Sequence, residues 1–294
     1  MANAIRTQPD QPASTPQAML KPATPWLWLS IVAALLAVAG SLIALAVNSI
    51  YAPLTPVFLP QALAQDIANL FIVVPLWLVC VMLALRGSLR AYLLWLGVLI
   101  FTAYNYVIYT FSIPFGPLFL LWVAVLGMCV YAVIGGIGVI DHRAIAARFA
   151  SPRAVKVVAW VLIVTAILFG LLWLSEDVPA LLAGSTPQSV TDMALPTNPV
   201  HILDLAFFLP AVIITGVLLL KRKPIAYTLA PAFIVFLILT GVPILLTPVV
   251  QVVRSQAAAW SVVVPIGTLT VVLLGVLTWL LSTIRSPQMA GHGE

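Results

Sequence analysis

The chain has very little charge. Aspartate, glutamate, lysine and arginine make up 7% of its 294 residues, against roughly 25% in a soluble globular domain. A fold that faces water on all sides is excluded, and the 63% hydrophobic content points to a lipid bilayer instead. Cysteine is also scarce. Cys80 and Cys129 fall within apolar runs and form no CxxC pair, so packing is their expected role rather than disulfide, thiol-redox or metal chemistry. There are three histidines. His142 and His292 fall in segments expected on the opposite side of the membrane from His201, which argues against bis-histidine haem. No HExxH, GxSxG or P-loop pattern appears, and no haem, flavin, nicotinamide or iron–sulfur signature.

What the sequence does have is long apolar runs. Runs of about twenty residues are long enough to cross a ~30 Å hydrocarbon core as helices, and backbone groups in lipid must be satisfied internally. Eight helices are expected, at 25–47, 65–85, 89–111, 117–140, 154–174, 200–220, 225–247 and 257–284. The first resembles a secretory signal, since Lys21 precedes the run and Ala44-Leu45-Ala46 near its end looks like a small-residue cleavage site. Its run is longer than a signal core of about 7–15 residues, which favours a true span.

The few basic residues give an orientation. With the N-terminus inside, twelve of the thirteen lysines and arginines fall on the inner side, and Arg254 alone falls outside. The positive-inside rule therefore places both termini in the cytoplasm. The net charge of +5 reads as topology and attraction to anionic lipid, not as a nucleic-acid footprint.

An internal repeat is visible. The segment from Asp66, DIANLFIVVPLWLVCVMLALRGSLRAYLL, aligns without gaps on the segment from His201, HILDLAFFLPAVIITGVLLLKRKPIAYTL, at an offset of 201 − 66 = 135. Eight of 29 positions are identical, Pro75/Pro210 and Tyr92/Tyr227 among them; roughly three or four would coincide by chance in segments this rich in leucine. Four helices return the chain to its starting side, so the halves are expected to be parallel repeats related by a pseudo-two-fold along the membrane normal. The expected class is an all-α integral membrane protein of two four-helix repeats. Its divisions are a flexible cytoplasmic tail at 1–24, the repeats at 25–153 and 154–286 with an outer linker at 175–199, and a cytoplasmic tail at 287–294. Gly40 with Ala44, and the GGIG run from Gly135, permit close helix approach.

Three polar residues fall in one outer-leaflet layer, and two more lie one turn above it. Counting from the basic inner ends at 1.5 Å per residue puts Asp204, Asn69 and Asn105 at about 22–25 Å along their helices. Asp66 and His201 lie one turn above Asn69 and Asp204, and the i, i+3 spacing puts each pair on one helix face. Asp66, Asn69, Asn105, His201 and Asp204 are the expected pocket, with Asp66 and Asn69 forming the wall opposite His201 and Asp204. His201, Asp204 and Asp66 are weak candidate metal ligands. The alternative is helix capping, with Asn198 as N-cap and Pro199 at the first helical position. Tyr104, Tyr106 and Tyr109, with Phe111 and Phe115, fit an outer aromatic belt.

Three functions are compatible with this pattern. A small-solute or proton-coupled transporter, or a solute-binding protein, would use the pocket where the repeats meet. An outer-face membrane enzyme would use His201 as base or metal ligand. A sensor or assembly subunit would need only the fold. The bilayer is the expected partner, with a small-molecule ligand and self-association compatible with it. The expected location is the cytoplasmic membrane, multi-pass.

Overall fold

The computed structural model describes residues 16–285. The described chain is all-α apart from one isolated bridge between Phe149 and Ile284. Eight of its helices are long and apolar enough to cross a membrane: α1 (Gln17–Ala46), α2 (Phe58–Leu85), α3 (Leu89–Ser112), α4 (Phe119–Gly138), α5 (Pro152–Leu182), α6 (Pro199–Leu220), α7 (Pro224–Val253) and α8 (Trp260–Ser282). Large apolar side chains such as Leu168, Leu171, Val264 and Val271 point outward from α5 and α8. In water that surface would be a liability, and in a bilayer it is the lipid-facing side.

Several helices are longer than their apolar runs. α2 begins at Phe58, because Pro60 sits in the first turn, where its missing N–H would have no intrahelical acceptor. α5 continues through Ser175, Glu176 and Asp177 to Leu182, with Pro179 inside it, so the first part of the expected outer linker is helix. The rest of that linker carries a short helix, Gln188–Met193. α7 runs to Val253 through Pro231, Pro243 and Pro248. At the N-terminus the chain is already helical from Pro16, which shortens the expected tail; residues 1–15 of that tail, the 287–294 tail and His292 lie outside the described residues.

Each half packs as a four-helix ring. In the first half α1 contacts α2 and α4, and α3 contacts α2 and α4; in the second, α5 contacts α6 and α8, and α7 contacts α6 and α8. The halves meet chiefly where α3 packs on α7, with α2 also against α7. Gly97 makes the α3–α7 approach feasible. A Cβ there would lie 2.5 Å from the Ala232 carbonyl oxygen and 2.5 Å from Val235 Cβ. Gly135 does the same between α4 and α1, where a side chain would collide with the Trp26 indole. Cys80 and Cys129 are buried and free.

Local irregularities recur at one spacing. α2 widens to a π-helix over Asn69–Val73, and α6 does so over Asp204–Phe208, 204 − 69 = 135 residues apart. In each, the N–H after the segment donates five residues back, Val74 to the Asn69 carbonyl and Leu209 to the Asp204 carbonyl. Pro75 and Pro210 follow immediately. A proline ring clashes with the carbonyl four residues before it, and the wider turn is one way a helix accommodates this. The α2–α3 and α6–α7 turns carry positive φ at Gly87 and Arg222, again 135 apart.

One face of the bundle gathers chain ends. Arg90, at the start of α3, donates to the Leu281 and Ile284 carbonyls at 2.9 and 2.8 Å, capping the end of α8. Arg285 N–H donates to the Arg148 carbonyl at 2.9 Å, tying the same end to the α4–α5 connection. His142 Nδ1 lies 2.9 Å from Thr228 Oγ1 on α7.

Candidate functional site

Asn198 starts α6 by accepting from the N–H groups of Val200 and His201, and Pro199 occupies the first helical position. The cap turns His201 inward, where it is only 4% exposed. One turn on, Asp204 opens the π segment and is 7% exposed. The two point from the same face of α6, yet each bonds to α5 rather than to the other.

His201 Nδ1 lies 2.9 Å from Asp177 Oδ1, and its Nε2 lies 3.8 Å from Glu176 Oε2. The Trp173 indole stacks on the imidazole, with ring centroids 4.6 Å apart and planes at 28°. The same indole donates Nε1–H to Asp204 Oδ2 at 2.8 Å. Trp173 therefore holds His201 by its face and Asp204 by its edge. Trp173, Glu176 and Asp177 were not among the expected site residues. The signal was present in WLSED, where Trp173 and Glu176 are spaced i, i+3, but it becomes visible only once α5 is extended past Leu174.

A cavity of about 420 Å³ adjoins this cluster. Its far wall comes from α2 and α3, its near walls from α5, α6 and α7, and α8 closes one side. Of the expected pocket residues, Asn105, His201 and Asp204 line it, while Asp66 and Asn69 do not. Asn105 turns its amide back to the Phe101 carbonyl at 3.0 Å.

Asp66 and Asn69 stand one side chain behind the cavity wall. Asp66 accepts from Ser41 (2.8 Å), Tyr51 (2.6 Å) and Tyr109 (3.0 Å), and Tyr109 is the side chain that reaches the cavity. Asn69 donates to Ser41 Oγ at 3.2 Å and accepts from Gln65 at 2.9 Å; Gln65 in turn lines the cavity. The expected opposite wall of Asp66 and Asn69 is thus supplied by Tyr109 and Gln65. Among the described residues, no group of three or more His, Cys, Asp or Glu is arranged to hold a metal ion.

Tyr104, Tyr106 and Tyr109 are buried rather than forming an interfacial belt, because α3 is enclosed by the other helices on nearly all sides. Phe111 and Phe115 are exposed. The Tyr104 ring meets Phe208 and Phe236 edge-on at 4.9 and 5.4 Å. Its hydroxyl is buried beside the Asp204 carboxylate, in electrostatic contact with it but without a well-formed hydrogen bond. The chain matches no family model, no curated protein and no solved structure, so function is argued from this geometry.

Proposed function

We propose that the protein is a small-solute carrier or solute-binding protein of the cytoplasmic membrane, holding its ligand in the cavity between two parallel four-helix repeats. The observation that carries this reading is the cavity itself. At about 420 Å³ it lies within the ~300–1,000 Å³ of small-molecule sites, and it combines apolar walls with a few converging polar groups, as such sites do.

Several features support the repeat on which the reading depends. The helix contacts within one half have counterparts in the other. Gly97 meets Ala232, its own counterpart at the 135-residue offset, as residues near a two-fold axis must. Carrier folds commonly place their sites between such repeats, against interrupted helices, and the α6 π segment borders the cavity through Asp204. The match has a limit at α8, which starts six residues later than the offset from α4 requires (260 against 119 + 135 = 254).

Orientation follows from charge. Lys21, Arg86, Arg90, Arg143, Arg153, Lys156 and Lys221 lie at the helix ends that share a face with the end of α8, and the positive-inside rule makes that face cytoplasmic. The cavity then opens toward the outside.

Outside access is tested by cysteine substitution at Thr240, on the cavity wall. Right-side-out vesicles are treated with the membrane-impermeant reagent methanethiosulfonate ethyltrimethylammonium; the native cysteines, both buried, set the background. Thr240→Cys is expected to react. If it stays at background while Ser189→Cys, within the α5–α6 connection, reacts, the solute reading fails. Reaction only in inside-out vesicles would keep the cavity and reverse the orientation.

A further inference from the structure

The walls of the cavity carry one sign of charge. Glu176 and Asp204 line it, and among the described residues neither lysine nor arginine does. Asp177 stands behind them against His201. Even a protonated His201 sets one positive charge against three carboxylates. Around the acids the surface is largely aromatic, with Trp173, Phe169, Phe236, Tyr104 and Tyr109. Ring faces attract cations, most strongly where both are desolvated.

Acidic side chains alone would not define a ligand. The second observation is Tyr104, 3% exposed, whose hydroxyl makes no well-formed hydrogen bond and stands at the cavity wall beside Asp204. A buried hydroxyl without a well-formed hydrogen bond is unfavourable, and a ligand that supplies a partner removes that cost. An ammonium N–H set between Asp204 and Tyr104 would donate to both oxygens, and its apolar body would lie along Phe236, Leu237 and Ile244, all of which line the cavity. Among carboxylate, alcohol and ammonium head groups, only the ammonium satisfies both the Tyr104 oxygen and the uncompensated charge.

We infer that the cavity binds an amphipathic organic cation, an amine or ammonium group on a compact aromatic or aliphatic body, with Asp204 and Tyr104 holding the cationic end. This rests on the solute-binding reading above and names the ligand class of that same cavity.

The test uses full-length protein in lipid nanodiscs and three probes that share a body, 4-phenylbutylamine, 4-phenylbutan-1-ol and 4-phenylbutyrate. Binding is measured calorimetrically against empty nanodiscs. The amine is expected to bind at least tenfold more tightly than the alcohol, and the carboxylate not measurably. In Asp204→Asn the preference for amine over alcohol should fall to within about twofold. Tyr104→Phe separates ligand binding from folding: it should weaken the amine several-fold while leaving the thermal midpoint nearly unchanged, since the lost hydroxyl makes no well-formed hydrogen bond in the fold. Equal or tighter binding of the alcohol or the carboxylate overturns the cation inference. If none of the probes binds while Thr240→Cys is reactive, the inference falls and the open cavity stands. If none binds and Thr240→Cys is inert, both fall.

Discussion

Asp66 accepts hydrogen bonds from three hydroxyls carried by three segments: Ser41 on α1, Tyr51 in the α1–α2 connection and Tyr109 on α3. A carboxylate committed in this way ties a connection and two helices to α2. Its role is to hold the fold, one side chain away from the cavity. Tyr51→Phe removes one bond to that carboxylate, worth about 1.5–3 kcal/mol for a bond to a charged group. The thermal midpoint is expected to fall by several degrees, with binding of 4-phenylbutylamine unchanged because Tyr51 does not line the cavity. A lost affinity at an unchanged midpoint would contradict this and make Asp66 part of the site. The sequence carried the titratable residues but not their partners. Spacing put His201 and Asp204 on one face, and α6 keeps them there. That His201 turns to Asp177, and Asp204 to the Trp173 indole, depends on how α5 lies against α6, which no local pattern encodes.

The irregular helices are organised by proline and glycine. Pro75 and Pro210 each follow a π segment that begins at a polar residue, Asn69 in one helix and Asp204 in the other. The segment accommodates the proline, and π segments occur often at functional sites. Gly97 sets the distance between α3 and α7. Gly97→Leu would drive a side chain into the Ala232 carbonyl and Val235, and such overpacking costs about 1–3 kcal/mol or more. A several-fold loss of monodisperse protein is expected on size exclusion, with Gly97→Ala intermediate. Gly275→Leu on α8, where nothing lies within 4 Å of the new Cβ, serves as the control and should behave as wild type. Equal behaviour of the Gly97 and Gly275 variants would sink the argument for a tight α3–α7 crossing. Helix number was legible because a twenty-residue apolar run has few other structures open to it. The ends were less so: the polar SED of α5 reads as a break from composition alone, while its backbone continues as helix to Leu182.

At the scale of the molecule, the proposed repeats differ where function would require it. At the 135-residue offset Tyr106 corresponds to Gly241 and Tyr109 to Ile244. In the first half the two tyrosines pack together at 5.3 Å, and Tyr109 stacks on Trp122 at 5.4 Å, filling space around Asp66. In the second half Gly241 and Ile244 line the cavity instead. The exchange of two large rings for a glycine and an isoleucine leaves the second half room for a ligand where the first half is plugged. Ser41 and Asp66, hydrogen-bonded in the first half, correspond to Glu176 and His201, which face each other in the second. One scaffold thus carries a hydroxyl–carboxylate version of the contact around Asp66 and an imidazole–carboxylate version beside the cavity.

The central claim, a ligand cavity between the two halves, is tested most directly by an experimental density map of the protein in nanodiscs with 4-phenylbutylamine present. The account predicts density for one amine between the Asp204 carboxylate and the Phe236 ring, within hydrogen-bond distance of the Tyr104 hydroxyl, and a tyrosine-filled counterpart around Asp66. A closed space, with Phe236 and Ile244 packed against α2 and α3 and no added density, would contradict it.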